Sequence, residues 1–134
     1  MRRILLLTLL VAAYAQPSFS AEAIQAVPGR AVIYVVRTPL DSRELSGLVL
    51  GDAGQVGMQP GTYYRWEAAP GTHRVVGMAP GVESLTLTAA AGGIYFLEHT
   101  VVGDPNDGGI QFTSLRQIGE QAGRNLVTRS QMLR

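Results

Sequence analysis

The chain has 134 residues, which is enough for one domain. It has no cysteine, which excludes disulfides, thiol catalysis, cysteine metal ligands and a lipid attached to cysteine. The formal charge of +1 includes Arg2 and Arg3, and without them nine arginines stand against ten acidic residues. Charge therefore gives no support for nucleic-acid binding, and we expect no nucleic-acid partner.

The N-terminus has the pattern of an export signal. Arg2 and Arg3 precede an apolar run over residues 4–13, which is too short to span a bilayer comfortably. The pattern predicts a secretory signal peptide, and an uncleaved membrane anchor is the alternative. We expect a periplasmic or secreted protein without stable membrane insertion after cleavage.

Small residues offer three cleavage points, after Ala15, Ser20 or Ala23. We place the signal peptide at residues 1–20 and an N-terminal linker at residues 21–29.

Pro-Gly dipeptides recur every ten residues, at 60–61, 70–71 and 80–81. Proline presets its own φ and glycine tolerates positive φ, so the pair favours type II turns, with Gly71 at positive φ. The side chains between the dipeptides do not repeat. The spacing thus favours the turns of an antiparallel meander over a β-solenoid.

The strand signals are strong before residue 115. The run AVIYVVR (31–37) is nearly all apolar and β-branched, which predicts a central strand covered on both faces. SLTLTA (84–89) alternates, which predicts its leucines inside and its threonines outside. Further strands are predicted at 45–50, 55–58, 62–68, 94–102 and 110–115.

These elements predict an all-β fold, an antiparallel β-sandwich of about seven to eight strands over residues 30–116. Residues 117–134 form a C-terminal tail, for which we expect a short helix or an irregular, frayed segment. Gly119 and Gly123 each disfavour a helix interior. One helical stripe would contain Leu115, Ile118, Ala122 and Leu126.

Three sets of residues carry a family resemblance. They are Ala31, Ile33, Tyr34, Val35 and Arg37; Gly61, Tyr63, Arg65, Glu67, Pro70, Gly71 and His73; and Gly92, Tyr95 and Phe96. This pattern resembles the bacterial envelope family called domain of unknown function 2846, over roughly residues 30–115. The hairpin at Pro70-Gly71 is also similar to that of PEGA-type and transthyretin-like modules.

The resemblance implies an exported β-sandwich, often attached to the membrane as a lipoprotein, with no established activity. The sequence departs from the family at Val36, where tyrosine is usual, and at Gly93, where a basic residue is common. Gly51-Asp52 inverts the family's Asp-Gly order. The sequence also has no cysteine, so it does not fit the lipoprotein attachment that is frequent in the family.

The sequence shows no set of residues with the types and spacing of a catalytic site, and we expect no catalytic, cofactor or metal site. His73 and His99 are the two histidines, and neither has neighbours that indicate a metal site or a general base. The acidic segment 104–109 fails the spacing of a calcium loop, so a hairpin turn is expected there.

Strand 62–68 divides into two faces, with Tyr64, Trp66 and Ala68 on one and Tyr63, Arg65 and Glu67 on the other. Burying Arg65 and Glu67 without partners would be costly, so their face is expected to be the wetter one. Trp66 is then a core residue, packed against Val35 and Phe96.

The function that we predict is that of a non-enzymatic binding or scaffold module of the bacterial cell envelope, with another envelope protein as partner. The candidate surface contains Tyr63, Arg65, Glu67 and His73. One alternative is a small-ligand protein that binds glycan or lipid fragments through exposed aromatic residues. Another is a hydrolase that uses His73 or His99 with a carboxylate.

Overall fold

The computed structural model describes residues 23–39, 46–78, 83–103 and 112–133. These residues form nine strands and one helix. In chain order they are β1 (Ala31–Arg37), β2 (Ser46–Leu50), β3 (Gly54–Met58), β4 (Thr62–Ala68), β5 (Gly71–Gly77), β6 (Ser84–Ala89), β7 (Ile94–Val102), β8 (Phe112–Ile118), α1 (Glu120–Thr128) and β9 (Gln131–Met132).

The strands form two sheets. The five-stranded sheet has the order β8-β7-β1-β4-β9, and the four-stranded sheet has the order β3-β2-β5-β6. The predicted all-β sandwich with a short C-terminal helix is confirmed. It differs in one respect from the expected antiparallel arrangement, because β1 pairs with β7, and β4 with β9, in parallel. A parallel pair joins strands distant in sequence, so neighbouring turn signals do not reveal it.

Strand β1 is the centre of the five-stranded sheet, and all seven of its residues are buried. Its side chains alternate between two apolar clusters. Ile33 and Val35 belong to the core between the sheets, whereas Val32 and Tyr34 belong to a second core on the outer face. The prediction of a strand covered on both faces is confirmed.

The Pro-Gly dipeptides do not mark the turns of a meander. Pro60-Gly61 lies between β3 and β4, and Pro70-Gly71 lies where the chain leaves β4 and enters β5, with Gly71 as the first residue of β5, so both dipeptides join strands of different sheets. Gly61 and Gly71 have positive φ, at 73° and 137°, a conformation that glycine adopts without steric cost. The meander is therefore wrong at these two places, although positive φ at Gly71 is confirmed. Pro80-Gly81 lies outside the described residues.

The core between the sheets is filled by side chains from both. Trp66 is 3% exposed, and it lies in one cluster with Val35 and Ala68, as predicted. In β6, Leu87 and Ala89 are buried while both threonines are exposed, which confirms the alternation. Phe96 does not share this core, because it faces the opposite side of its sheet.

Helix α1 covers the outer face of the five-stranded sheet. Val127 lies in the outer core with Tyr63 and Phe96, and Ile24 and Val27 of the N-terminal segment pack against the same cluster. The wetter environment expected for Tyr63 is wrong, since the side chain is 3% exposed beneath this layer. The same strand face becomes accessible farther along, partly at Arg65 and more so at Glu67.

The C-terminal residues belong to the fold. Strand β8 runs to Ile118, so the expected boundary between 116 and 117 falls within a strand, and the predicted helical stripe is wrong at Leu115 and Ile118. The helix begins only after Gly119. Strand β9 then pairs with β4, and Leu133 N–H donates to the Tyr63 carbonyl at 2.9 Å.

Candidate functional site

Arg65 and Glu67 form an ion pair on the outer face of β4. Arg65 Nη1 lies 2.6 Å from Glu67 Oε1, and the two side chains are 26% and 44% exposed. Residues two apart on a strand share a face, which explains the contact. The hydrogen bond to Glu67 is the main reason that the pKa of Arg65 is raised, so this side chain is a permanent cation.

A depression of about 380 Å³ lies beside this ion pair. Arg65 forms one wall, and the N-terminal segment forms the other through Ala23, Gln25, Ala26 and Val27.

Two hydrogen bonds tie this N-terminal segment to the fold. Arg30 N–H donates to the Val27 carbonyl at 3.2 Å, and Arg124 Nη1 donates to the Ile24 carbonyl at 3.5 Å. The depression is thus built on anchored backbone.

The Tyr34 hydroxyl lies near Arg65. The two residues are directly opposite each other across β1 and β4, and Tyr34 adds to the rise in the pKa of Arg65. The hydroxyl is buried and has no hydrogen-bond partner in the described part of the chain. The Tyr34 ring is fixed by Phe96, which stacks on it with centroids 5.5 Å apart, and by Tyr63 at 5.9 Å.

His73 is not part of this outer surface. It lies on β5, where its Nε2 is 2.6 Å from the Ala69 carbonyl oxygen and its ring meets Trp66 edge-on at 5.0 Å. The structure therefore brings Arg65 and Glu67 together on one face. It places His73 against the core between the sheets and Tyr63 in the outer core.

The aromatic side chains that the structure describes do not form an exposed row. Tyr63, Trp66 and Phe96 are between 1% and 3% exposed, and Tyr64 and Tyr95 pack half-buried against the core between the sheets. The Tyr95 hydroxyl also accepts a hydrogen bond from Ala90 N–H at 2.8 Å. These side chains stabilise the sandwich.

A buried polar cluster, which the sequence reasoning missed, joins the two sheets. Arg37 and His99 come from the five-stranded sheet and Ser46 from the four-stranded sheet. Arg37 Nη1 donates to Ser46 Oγ at 2.9 Å and to the Met58 carbonyl at 3.0 Å, and His99 Nε2 is 2.6 Å from Ser46 Oγ. Arg37 and His99 are fully buried, and Ser46 is 4% exposed.

A signal for this cluster existed in the sequence. Arg37 is two residues after Val35 on a strand, so it points to the same interior face. His99 has the same relation to Leu97. Nothing in the sequence places Ser46 against them, because that contact depends on how the two sheets pack.

The Ser46–His99 contact has the atoms of a nucleophile and its base, but it lies inside the packed sandwich. Arg37 donates to the same hydroxyl oxygen, and that oxygen is also 3.4 Å from the Met58 carbonyl. This set of contacts suits a fixed connection between sheets better than an attacking group. In the described ranges, no three His, Asp or Glu side chains are placed to hold a metal ion.

Comparisons with protein-family models, with curated proteins and with solved structures gave no match. Within the described part of the chain, no helix has the length and apolar character needed to span a membrane.

Proposed function

We propose that the chain is an exported, non-enzymatic binding module of the bacterial cell envelope, and that its partner is another envelope protein. Support for export comes from the charged start and apolar run at the N-terminus. The resemblance to the domain of unknown function 2846 family supports the same compartment.

The observation that carries the proposal is the contrast between a filled interior and an accessible ion pair. Buried side chains from both sheets fill the core, and the Arg65–Glu67 pair lies outside it on a strand that β9 covers only at Thr62 and Tyr63. Exposed charges beside open strand backbone can select a partner by charge and by main-chain hydrogen bonds.

Site-specific crosslinking tests the partner surface. A photo-reactive amino acid at position 67 is expected to give one discrete crosslinked species in intact cells, identified by mass spectrometry. The matched control is position 86, because Thr86 is exposed on the four-stranded sheet. Crosslinks of equal yield from both positions, or from neither, would contradict a partner at the Arg65–Glu67 surface.

Cell fractionation tests export. The protein is expected in the periplasm or medium with the first 15, 20 or 23 residues removed, as read from its intact mass. A full-length mass in the membrane fraction would instead support an uncleaved anchor.

The non-enzymatic part of the proposal has its own test. A serine-reactive fluorophosphonate is expected to leave Ser46 unmodified, because its hydroxyl is enclosed. Stoichiometric labelling that disappears in His99→Gln would establish a reactive serine and contradict the proposal.

A further inference from the structure

The depression between Arg65 and the N-terminal segment has the size and the donors of a small ligand site. Its volume of about 380 Å³ lies within the range of small-molecule sites, roughly 300–1,000 Å³. Among the described residues that line it, Ala23, Gln25, Ala26 and Val27 form one wall, and Arg65 is the only charged one.

The guanidinium of Arg65 has donors beyond those used by Glu67. The ion pair joins a single guanidinium nitrogen, Nη1, to Glu67 Oε1. A guanidinium carries five N–H donors in a planar fork, and that fork matches the two oxygens of a carboxylate. Arg65 can therefore keep Glu67 and still accept a second anion.

Tyr34 lies opposite Arg65 across β1 and β4 and helps to position its guanidinium. Its ring is fixed between Phe96 and Tyr63, and its buried hydroxyl lies near the Arg65 guanidinium, whose pKa it helps to raise. Because Tyr34 is buried and does not line the depression, it can act on a bound ligand only through the position of the Arg65 side chain.

The charges around the N-terminal segment favour an anion. Arg30, Arg65 and Arg124 surround it, whereas the carboxylates that pair with them are Glu67 and Glu120. Arg30 donates to the Glu67 backbone carbonyl rather than to a carboxylate. This group of described residues thus has one more cation than anion.

We propose that the depression binds a carboxylate carried by a small organic molecule, with Arg65 as its main donor and Tyr34 as a positioning residue. The proposal goes beyond the envelope-protein partner, since it stands whether or not such a partner exists.

The probe is N-acetylglycine, and its neutral partner N-acetylglycinamide is the matched control. Titration of the protein from residue 21 onward, which retains every lining residue, is followed by NMR, through the Arg65 side-chain Nε–Hε signal and the backbone amides of residues 25–27. We expect saturable shifts with N-acetylglycine at about millimolar concentration, the range for a ligand of a few heavy atoms. The amide is expected to give no saturable shift.

Four variants separate the roles. Arg65→Gln is expected to weaken binding about tenfold or more, because charge-assisted hydrogen bonds are lost. Glu67→Gln is expected to strengthen it about two- to fivefold, since a competing carboxylate is removed. Tyr34→Phe is expected to weaken binding and to move the Arg65 Nε–Hε signal of the free protein. Arg116→Gln removes another Arg–Glu pair, between β8 and β7, and is expected to leave binding unchanged.

Several outcomes would overturn the proposal. One is the same response to the acid and its amide, and another is equal weakening by Arg116→Gln and Arg65→Gln in folded protein. Inorganic phosphate distinguishes a carboxylate site from a general anion site, and tighter binding of phosphate than of N-acetylglycine would reject the carboxylate. Spectra of each variant without probe establish that it is folded.

Discussion

The backbone of Gly123 on α1 lies directly against the Phe96 ring on β7, and a methyl group at position 123 would overlap that ring. This contact allows the helix to approach the five-stranded sheet and to bury Val127 over Tyr34 and Tyr63. The glycine that disfavours a helix in the sequence is therefore what allows this helix to pack.

Gly123→Ala gives opposite expectations from propensity and from packing. In a helix interior, alanine is favoured over glycine by about 1 kcal/mol. We expect instead a loss of about 1–3 kcal/mol in the free energy of unfolding, because the ring and helix must move apart. Chemical denaturation measures this, with Gln121→Ala on the exposed face as control. Stabilisation by Gly123→Ala would mean that the helix does not contact Phe96.

Trp66 should report a buried indole. It is the single tryptophan, and it is 3% exposed between the sheets, where it meets His73 edge-on. Its fluorescence is expected to be blue-shifted and resistant to acrylamide. Trp66→Ala is expected to cost about 3–5 kcal/mol, a large part of a typical domain's stability. Red-shifted, freely quenched emission from folded protein would place the indole on the surface.

Tyr63→Ala should be nearly as damaging as a change in the main core. The side chain is 3% exposed and its ring lies 5.9 Å from that of Tyr34, so we expect a loss of about 3 kcal/mol or more. Glu67→Ala, on the same strand face but exposed, is the control and is expected to cost about 1 kcal/mol or less. Equal denaturation midpoints for the two variants would contradict the burial of Tyr63 beneath α1.

Gly71 and Gly119 form a matched pair for backbone conformation. A methyl group would meet open space at both positions, but Gly71 has φ of 137° and Gly119 has φ of −67°. Gly71→Ala is expected to lower the free energy of unfolding by about 1 kcal/mol or more, because positive φ strains alanine. Gly119→Ala is expected to cost less. Coincident thermal melts of wild type and Gly71→Ala would show that positive φ is not required.

The strands could be predicted because their side-chain patterns are local. The continuous apolar run of β1 and the strict alternation of β6 each report burial within a few residues of chain. The boundaries of β1, β4, β6 and β7 were predicted to the residue.

The predictions that were wrong concern features that depend on contacts between distant parts of the chain. Tyr63 shares a strand face with Arg65, and the sequence does not show that a helix some sixty residues later covers one and not the other. Proline and glycine mark a change of direction equally well within a sheet and between sheets, which explains the error at Gly61 and Gly71.

The candidate site was predicted in part. Strand alternation and the cost of burying charge placed Arg65 and Glu67 on one accessible face, and the structure adds that they form an ion pair there. Tyr34 reaches Arg65 only through the pairing of β1 with β4.

Ser46 tests the last of these distant contacts, the polar connection between the sheets. Its hydroxyl oxygen accepts a hydrogen bond from Arg37 Nη1 and lies 2.6 Å from His99 Nε2, in the interior of the sandwich. Ser46→Ala removes a hydrogen-bonding partner from two buried polar groups, so we expect a loss of about 1–3 kcal/mol in the free energy of unfolding.

Two control variants show whether the hydroxyl itself is responsible. Ser46→Thr retains the hydroxyl and is expected to be closer to wild type than Ser46→Ala. Ser114→Ala removes an exposed hydroxyl from β8 and is expected to change stability by about 0.5 kcal/mol or less. Ser46 is on β2, whereas Arg37 and His99 are on β1 and β7. Amide hydrogen exchange around these three residues should therefore accelerate in Ser46→Ala. Unchanged exchange together with unchanged stability would mean that the two sheets are held by their apolar core alone.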